Sequence, residues 1–372
     1  MFRPAIQRTG VLVGMAVISL LVFYGTRTIQ VEYKAPAYEL KLRAAQRMQN
    51  AMDILKGVRM AEAVFVDDVN DPNETALVGS QYSQITTDEG DLNAKISVLD
   101  ANVAGMIVDY LVRAEVSSGD TVAVMATGSM PGANLAVYCA LEEMGIVPYI
   151  ITSVGASQWG ANREDFTWLD MEQVLLDSGI VHFRSHYASL GGGSDIGRRL
   201  SPLGRDLILA AIQRNGVPLL DSRDLDHAIE QRYDLYNALT ALENFRAFIN
   251  IGGGAAALGD AATARILGPG LSEHLDLRSL RSPGMVGYFG RADVPVIHIL
   301  NIKDIFSEFN YPYAATPTPD LGEGEFYASH RYSPLATAIA LVLLLTMLVT
   351  VGLNSKRKIR NHLEEHEPES YV

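Results

Sequence analysis

The chain reads as an α/β protein: a mostly parallel sheet with helices on both faces, flanked by one transmembrane helix at each end. Three observations predict it. Beyond residue 118, short apolar and β-branched runs alternate with segments of helical periodicity, the pattern of a parallel sheet covered on both faces. Residues 9–26, TGVLVGMAVISLLVFYGT, and 332–355, YSPLATAIALVLLLTMLVTVGLNS, carry no charge. Each is close to the ~20 residues that cross a hydrocarbon core as a helix. The stretch between them, rich in apolar positions, is ample for a large core.

In chain order, residues 1–8 form a short cytoplasmic N-terminus, with Arg3 and Arg8 ahead of the first span. No small-x-small cleavage site closes that span, and the chain runs on as YGTRTIQVEY, so it reads as a retained signal anchor. Across 27–60, Tyr38, Leu42, Ala45, Met48, Met52 and Leu55 recur at steps of three and four, the stripe of a juxtamembrane amphipathic helix. DDVNDPNET and TTDEGD are polar turns, and ANVAGMIVDYLVRAE is a helix ended by SSGD.

From there TVAVMA, VPYIIT, IVHFRS, VPLL, FRAFINIGGG and VPVIHIL read as strands. Between them lie the helices GANLAVYCALEEMG, LDMEQVLLDSG and SPLGRDLILAAIQRNG, and a long helical segment from Asp221 to Asn244. Ser201 caps the third of these, with Pro202 at its first position and Gly216 just past its end. The domain covers 61–331. The tail at 356–372 opens on Lys356, Arg357, Lys358 and Arg360, a cluster that places it in the cytoplasm. Two spans and a long loop then put the domain on the extracytoplasmic side.

The net charge is −13, with 43 acidic residues against 30 basic, which excludes a nucleic-acid partner. The lone Cys139 forms no internal disulfide, and within its apolar helix it reads as a small buried hydrophobe. No Walker Gly-Lys-Ser/Thr is present, and NIGGGAAALGD lacks the Gly-x-Gly-x-x-Gly phasing, so no nucleotide cofactor is expected. Nor is a metal expected, since His362 and His366 lie in a charged, disordered-looking tail and no cluster has ligand spacing.

Ser-x-x-Gly-Ala-Asn occurs twice, as SMPGAN at 129–134 and SQWGAN at 157–162. Each copy follows a strand and leads toward a helical segment, as two equivalent turns at the carboxyl rim of a parallel sheet would, where ligands sit. Gly-rich turns at helix starts offer amides to an anion. Thr127, Gly128, Ser129, Asn134, Ser157 and Asn162 are therefore ligand-binding candidates, with plain helix capping by Ser and Asn the alternative. In ASLGGGSDIGRRLSPLGRD, a flexible loop carries Asp195 beside Arg198 and Arg199, guanidinium forks suited to a carboxylate. The alternative there is a mobile surface loop with solvated arginines. ATGSMPGAN also offers Ser129 on a strand-to-helix turn as a nucleophile, although Gly128 directly precedes it where an elbow has Gly-x-Ser-x-Gly. The bases open to such a triad are His227, which reads as a solvated helix residue, and His298, which reads as a core histidine.

DTVAVMATGSMPGANLA, SVGASQWGANREDFTWLD, GGGSDIGRRLSPLGRDLI and INIGGGAAALG, set between two terminal spans, resemble the poly-γ-glutamate system protein family, membrane proteins associated with bacterial poly-γ-glutamate synthesis and export. The resemblance covers nearly the whole chain and carries no catalytic residues with it. It implies an accessory subunit in the bacterial cytoplasmic membrane, partnered by the membrane subunits of the synthase and handling the acidic polymer or a carboxylate ligand in its outer domain. The net charge opposes that polymer except at a local basic loop. The other expectation is an envelope hydrolase or transferase that acts on γ-glutamyl amide bonds through Ser129, and a third, weaker one is a protein-binding scaffold.

Overall fold

The computed structural model describes residues 4, 8–62, 66–259, 263, 267–275 and 284–364. Most of 1–8, Asp260, and the end of the tail with His366 lie outside them. By contacts the chain divides into two units, Ala35–Tyr327 and the two chain ends.

The chain opens with α1 (Thr9–Thr28) and β1 (Gln30–Lys34), followed by α2 (Tyr38–Ala61), α3 (Leu92–Ser97) and α4 (Val103–Arg113). Next come β2 (Thr121–Thr127), α5 (Pro131–Met144), β3 (Val147–Ser153), a minimal hairpin of β4 (Asn162–Arg163) and β5 (Phe166–Thr167), and α6 (Trp168–Asp177). Then follow β6 (Tyr187–Ser189), α7 (Pro202–Arg214), α8 (Leu225–Leu239), β7 (Ala247–Ile251) and the single turn α9 (Ala255–Leu258). The described chain ends with β8 (Gly270–Ser272), α10 (Gly284–Arg291), β9 (Val296–Ile299), α11 (Ile302–Glu308), β10 (Ala328–Tyr332) and α12 (Pro334–Glu364).

Six strands form the central sheet in the order β6-β3-β2-β7-β9-β8. All pairs are parallel except β8 with β9, an antiparallel edge the sequence does not signal. Residues on β2 alternate between two cores. Val122, Val124 and Ala126 join the cluster containing α2, α4 and α5, while Ala123 and Met125 join the one containing α8 and α10. Both faces are dry, which is why the strands read as unbroken apolar runs. Chain order reverses between β2 and β7, and at such a switch point the loops beyond the strand ends diverge and leave a crevice.

Several expected elements shift. IVHFRS is not a strand; the edge strand is β6, further on, where Ile150 and Ile151 of β3 set the pairing. VPLL contributes one isolated bridge, Ala188 to Leu219. The long helix from Asp221 shortens to α8, because Asp224 caps it by accepting from the His227 amide at 2.9 Å. The caps of α7 stand as expected: Ser201 Oγ accepts from Gly204 N at 3.0 Å, and Pro202 opens the helix.

At the chain ends, β1 pairs antiparallel with β10, from Gln30 opposite Tyr332 to Lys34 opposite Ala328. Ser333 caps α12, its Oγ accepting from Ala336 N at 3.2 Å. Helices α1 and α12 are long and apolar enough to cross a membrane. The basic cluster and His362 continue α12 as helix up to Glu364, beyond the expected end of the span at 355.

Candidate functional site

A cavity of about 560 Å³ opens beyond the carboxyl ends of β2, β3 and β7, at the switch point of the sheet. Three strand ends bring a hydroxyl residue into one row, since Thr127 pairs with Ser153 and Ser153 with Ser189. Thr127 and Ser153 line the cavity, together with Ser129, Ser157, Gly191–Gly193 and Gly252–Gly254.

The two Ser-x-x-Gly-Ala-Asn turns meet there, and they are not equivalent. The first opens α5; the second leads into β4, and helix resumes only at Trp168. They interlock. Ser129 Oγ accepts from the Ser157 amide at 3.0 Å, and the Ala161 amide donates to Gly128 O at 2.8 Å. Gly160 lies against the first turn so closely that a Cβ there would stand 2.8 Å from both Gly128 O and Ser129 O.

The second turn keeps no amide for an anion. In the second turn every N–H from Ser157 to Asn162 has a partner: Ser129 Oγ, Asp88 O, Ser80 O, Ser157 O, Gly128 O and Gly160 O in order. Gly128 N donates to Ser153 O at 2.8 Å. The asparagines are turn-holders as well. Asn134 donates to Thr127 O at 2.9 Å, and Asn162 binds both backbone groups of Ser80 and the Thr86 hydroxyl. The second turn is thus self-satisfied rather than the open amide cradle expected of it.

The glycine-rich segment at 191–199 also departs from expectation. It is folded on itself by bridges from Gly191 to Ile196 and from Gly193 to Arg198. Asp195 turns inward, where its Oδ1 accepts from Ser153 Oγ at 2.7 Å and Ser189 Oγ at 2.9 Å. Its Oδ2 lies 2.7 Å from Nη2 of Arg232, and both side chains are fully buried. Arg198 and Arg199 point outward, are exposed, and do not line the cavity. Arg199 approaches Asp88 at 3.6 Å, a loose surface pair.

The cavity's principal charge is Lys95, which the sequence reading missed. Thr87 N donates to Ala156 O at 2.8 Å and Gln158 N to Asp88 O at 3.0 Å, so segment 87–91 is strapped along the second turn. Asp91 then caps α3, its Oδ1 accepting from Asn93 N at 2.9 Å and Ala94 N at 3.3 Å. One turn on, Lys95 is 4 % exposed. Its Nζ donates to the Ser129 carbonyl, stands 3.0 Å from Ser157 Oγ and 3.2 Å from Met130 Sδ. All three partners are neutral. Burial pushes its amine down to about 8, and the charge of Asp91 pulls the other way without offsetting it. The one sequence signal was a lysine set between the capping Asp91 and the mostly apolar run ISVL.

Neither candidate histidine serves a triad. His298 is buried, its Nδ1 2.8 Å from Asn250 Nδ2, and burial lowers it to about 4, which keeps it neutral in the core. His227 sits in the first turn of α8, away from the cavity. Cys139 is buried and its thiol is pushed up to about 12, so it is inert. Exposed Asp88, Glu89, Asp91 and Asp304, against Lys303, rim the cavity. Among the described residues no His/Cys/Asp/Glu cluster is arranged to hold a metal ion. Comparison of the chain with family models, with curated proteins and with solved structures finds no match in any of the three.

Proposed function

We propose that the domain is a membrane-anchored acyl-transfer enzyme acting on an amide bond, with Ser157 as nucleophile and Lys95 as its general base. The observation that carries this reading is the Lys95 amine, held near 8 and placed 3.0 Å from a hydroxyl inside a cavity. A lysine serves as base only when desolvation brings its pKa toward the working pH. Neutral Lys95 takes the Ser157 proton as Oγ bonds to the amide carbon. When the intermediate collapses, the carbon–nitrogen bond breaks and the Lys95 ammonium protonates the departing amine. Water, or a second amine, then attacks the ester and gives its proton to Lys95, and as the bond from the acyl carbon to Ser157 Oγ breaks Lys95 returns that proton to Oγ. Ser129, the nucleophile expected from the sequence, instead orients Ser157 by accepting its amide hydrogen. The acidic rim favours an amine as leaving group or acceptor. In the setting the family resemblance implies, the bond is γ-glutamyl and the product is polymer released from, or attached to, an amine at the cell envelope.

A second reading has its own support. The three acceptors around Lys95 match the three donors of an ammonium. A fixed cation there suits an accessory subunit that binds a polymer carboxylate without cutting it.

A serine-directed fluorophosphonate applied to the full-length protein in neutral detergent separates the two. Catalysis predicts an adduct on Ser157 whose rate rises with pH through about 8, disappears in Ser157→Ala, and falls at least ~100-fold in Lys95→Met. No adduct at any pH, with saturable binding of γ-glutamyl oligomers that survives Ser157→Ala and is lost in Lys95→Met, would establish the binding subunit instead.

A further inference from the structure

A second cavity, of about 380 Å³, lies on the other side of the second turn. Its wall includes Arg59, Arg163, Trp159, Asn70, Ser80 and Gln81. Arg59 stands in the last turn of α2 and is 4 % exposed. Its guanidinium lies 5.0 Å from the Phe166 ring centre, and its one ion pair among the described residues is a 3.4 Å approach to the half-exposed Glu62. Among the described residues the five donors of this guanidinium are met by one long hydrogen bond. A second cation shares the wall: Arg163, itself bound by two nitrogens to Asp165 at 3.1 and 2.7 Å. Burial and then the Arg163 charge lower the Arg59 pKa, and the carboxylates of Asp165 and Glu62 pull the other way without offsetting them.

Two carboxylates also border the cavity, and both are committed to the loop. Asp67 accepts from the amides of Val69 and Asn70 and from the Asn70 side chain. Asp71 accepts from Thr75 N, Thr75 Oγ1 and Ala76 N. Trp159 completes the wall with φ of 62°, a left-handed conformation unfavourable for an aromatic residue. Hydrogen bonds from its amide to Ser80 O at 3.0 Å and from Gly79 N to its carbonyl at 3.1 Å hold it so.

We infer that this cavity is a binding site for a small organic anion, whose carboxylate or phosphate is received by Arg59 and Arg163 while Trp159 covers its apolar part. Two guanidinium forks and a flat ring at the mouth are the chemistry for it. The inference is independent of the Lys95–Ser157 reading, because the two cavities share no lining residue.

The test is titration of the full-length protein in neutral detergent with glutarate and, separately, inorganic phosphate, followed by calorimetry and by tryptophan fluorescence. Trp168 is fully buried, so a fluorescence change reports on Trp159. Saturable binding is expected with Kd below about 1 mM. It should weaken at least ~10-fold in Arg59→Met and several-fold in Arg163→Gln, and persist in Ser157→Ala. The tighter of the two ligands tells carboxylate from phosphate. Arg163 is part-exposed, so Arg163→Gln decides the matter if Arg59→Met does not fold. Failure of both ligands to saturate, or equal binding by both variants and wild type, overturns the inference.

Discussion

Lys41 and Lys95 are both buried, and they are buried in opposite company. Lys41 meets a carboxylate, Asp109 Oδ1 at 2.6 Å, and a carbonyl, Phe326 O at 2.7 Å. Lys95 meets a carbonyl, a hydroxyl and a thioether. The same division separates the buried arginines, since Arg232 has the equally buried Asp195 and Arg59 has a 3.4 Å pair with the half-exposed Glu62. Cations matched by carboxylates hold this domain together. The two that lack a buried carboxylate each line a cavity, and groups perturbed in this way cluster at functional sites.

The largest effect tests a matched pair. Asp195→Asn keeps an oxygen for Ser153 and Ser189 but leaves Arg232 as an uncompensated buried charge. It should cost about 3–5 kcal/mol in urea unfolding of the full-length protein, since breaking a buried pair exposes the desolvation the pair had offset. A loss comparable to that of a surface pair would mean that the Arg232 charge is relieved elsewhere, and the contrast between the two classes would fail.

The lysines provide the next test. Lys41→Met should destabilise by about 3 kcal/mol, because Asp109 and Phe326 O both lose a short hydrogen bond. Lys95→Met should change stability at neutral pH by no more than about 1 kcal/mol, because removing an ill-solvated charge offsets the lost bonds. Alkaline pH sharpens the difference. The Lys95 pKa is lower folded than unfolded, so between about 8 and 10.5 the unfolded chain binds the extra proton and stability rises with pH. Wild type should gain on the order of 3 kcal/mol over Lys95→Met across that window, measured as the difference between their unfolding free energies. Parallel curves for the two proteins would show that Lys95 is not a desolvated amine.

Much of the frame was legible because its causes are local. The strands are continuous apolar runs, Ser201 and Pro202 announce α7, and uncharged stretches mark the two terminal helices. The rim of the sheet was legible too, and Ser129, Ser157, Thr127 and Asp195 do line the cavity that forms there. What each residue does was not legible, because each partner is far away in sequence. Ser129 and Ser157 read as twin cradles until the second is seen to spend its amides on the first turn, on Ser80 and Asp88, and on its own carbonyls. Arg198 and Arg199 read as a carboxylate fork until the bridges at Gly191 and Gly193 fold the loop inward and leave them outside. Lys95 has no motif at all; its role comes from turns 34 and 62 residues downstream. Arg59 likewise reads as one more charge on a helix until the 66–81 segment closes over it.

A subtler shift, in a pH midpoint, tests how Lys95 acquires its surroundings. Two of its three partners, the Ser129 carbonyl and the Ser157 hydroxyl, belong to different turns, and only the interlock sets the distance between them. Gly160 is where that interlock is tightest: a Cβ would sit 2.8 Å from two carbonyl oxygens and 2.9 Å from Ser129 Cα, all of them backbone. Backbone cannot rotate aside, so Gly160→Ala must spread the turns, at about 1–3 kcal/mol of stability. Spreading them admits water around Nζ and weakens the desolvation that lowers its pKa. The pH at which Ser157 labelling reaches half its maximum should therefore move up from about 8 in Gly160→Ala, and the rate above that pH should fall. If stability drops while the pH midpoint stays fixed, the environment of Lys95 is set by the 87–91 strap and α3 alone, and the twin turns serve only to close the wall.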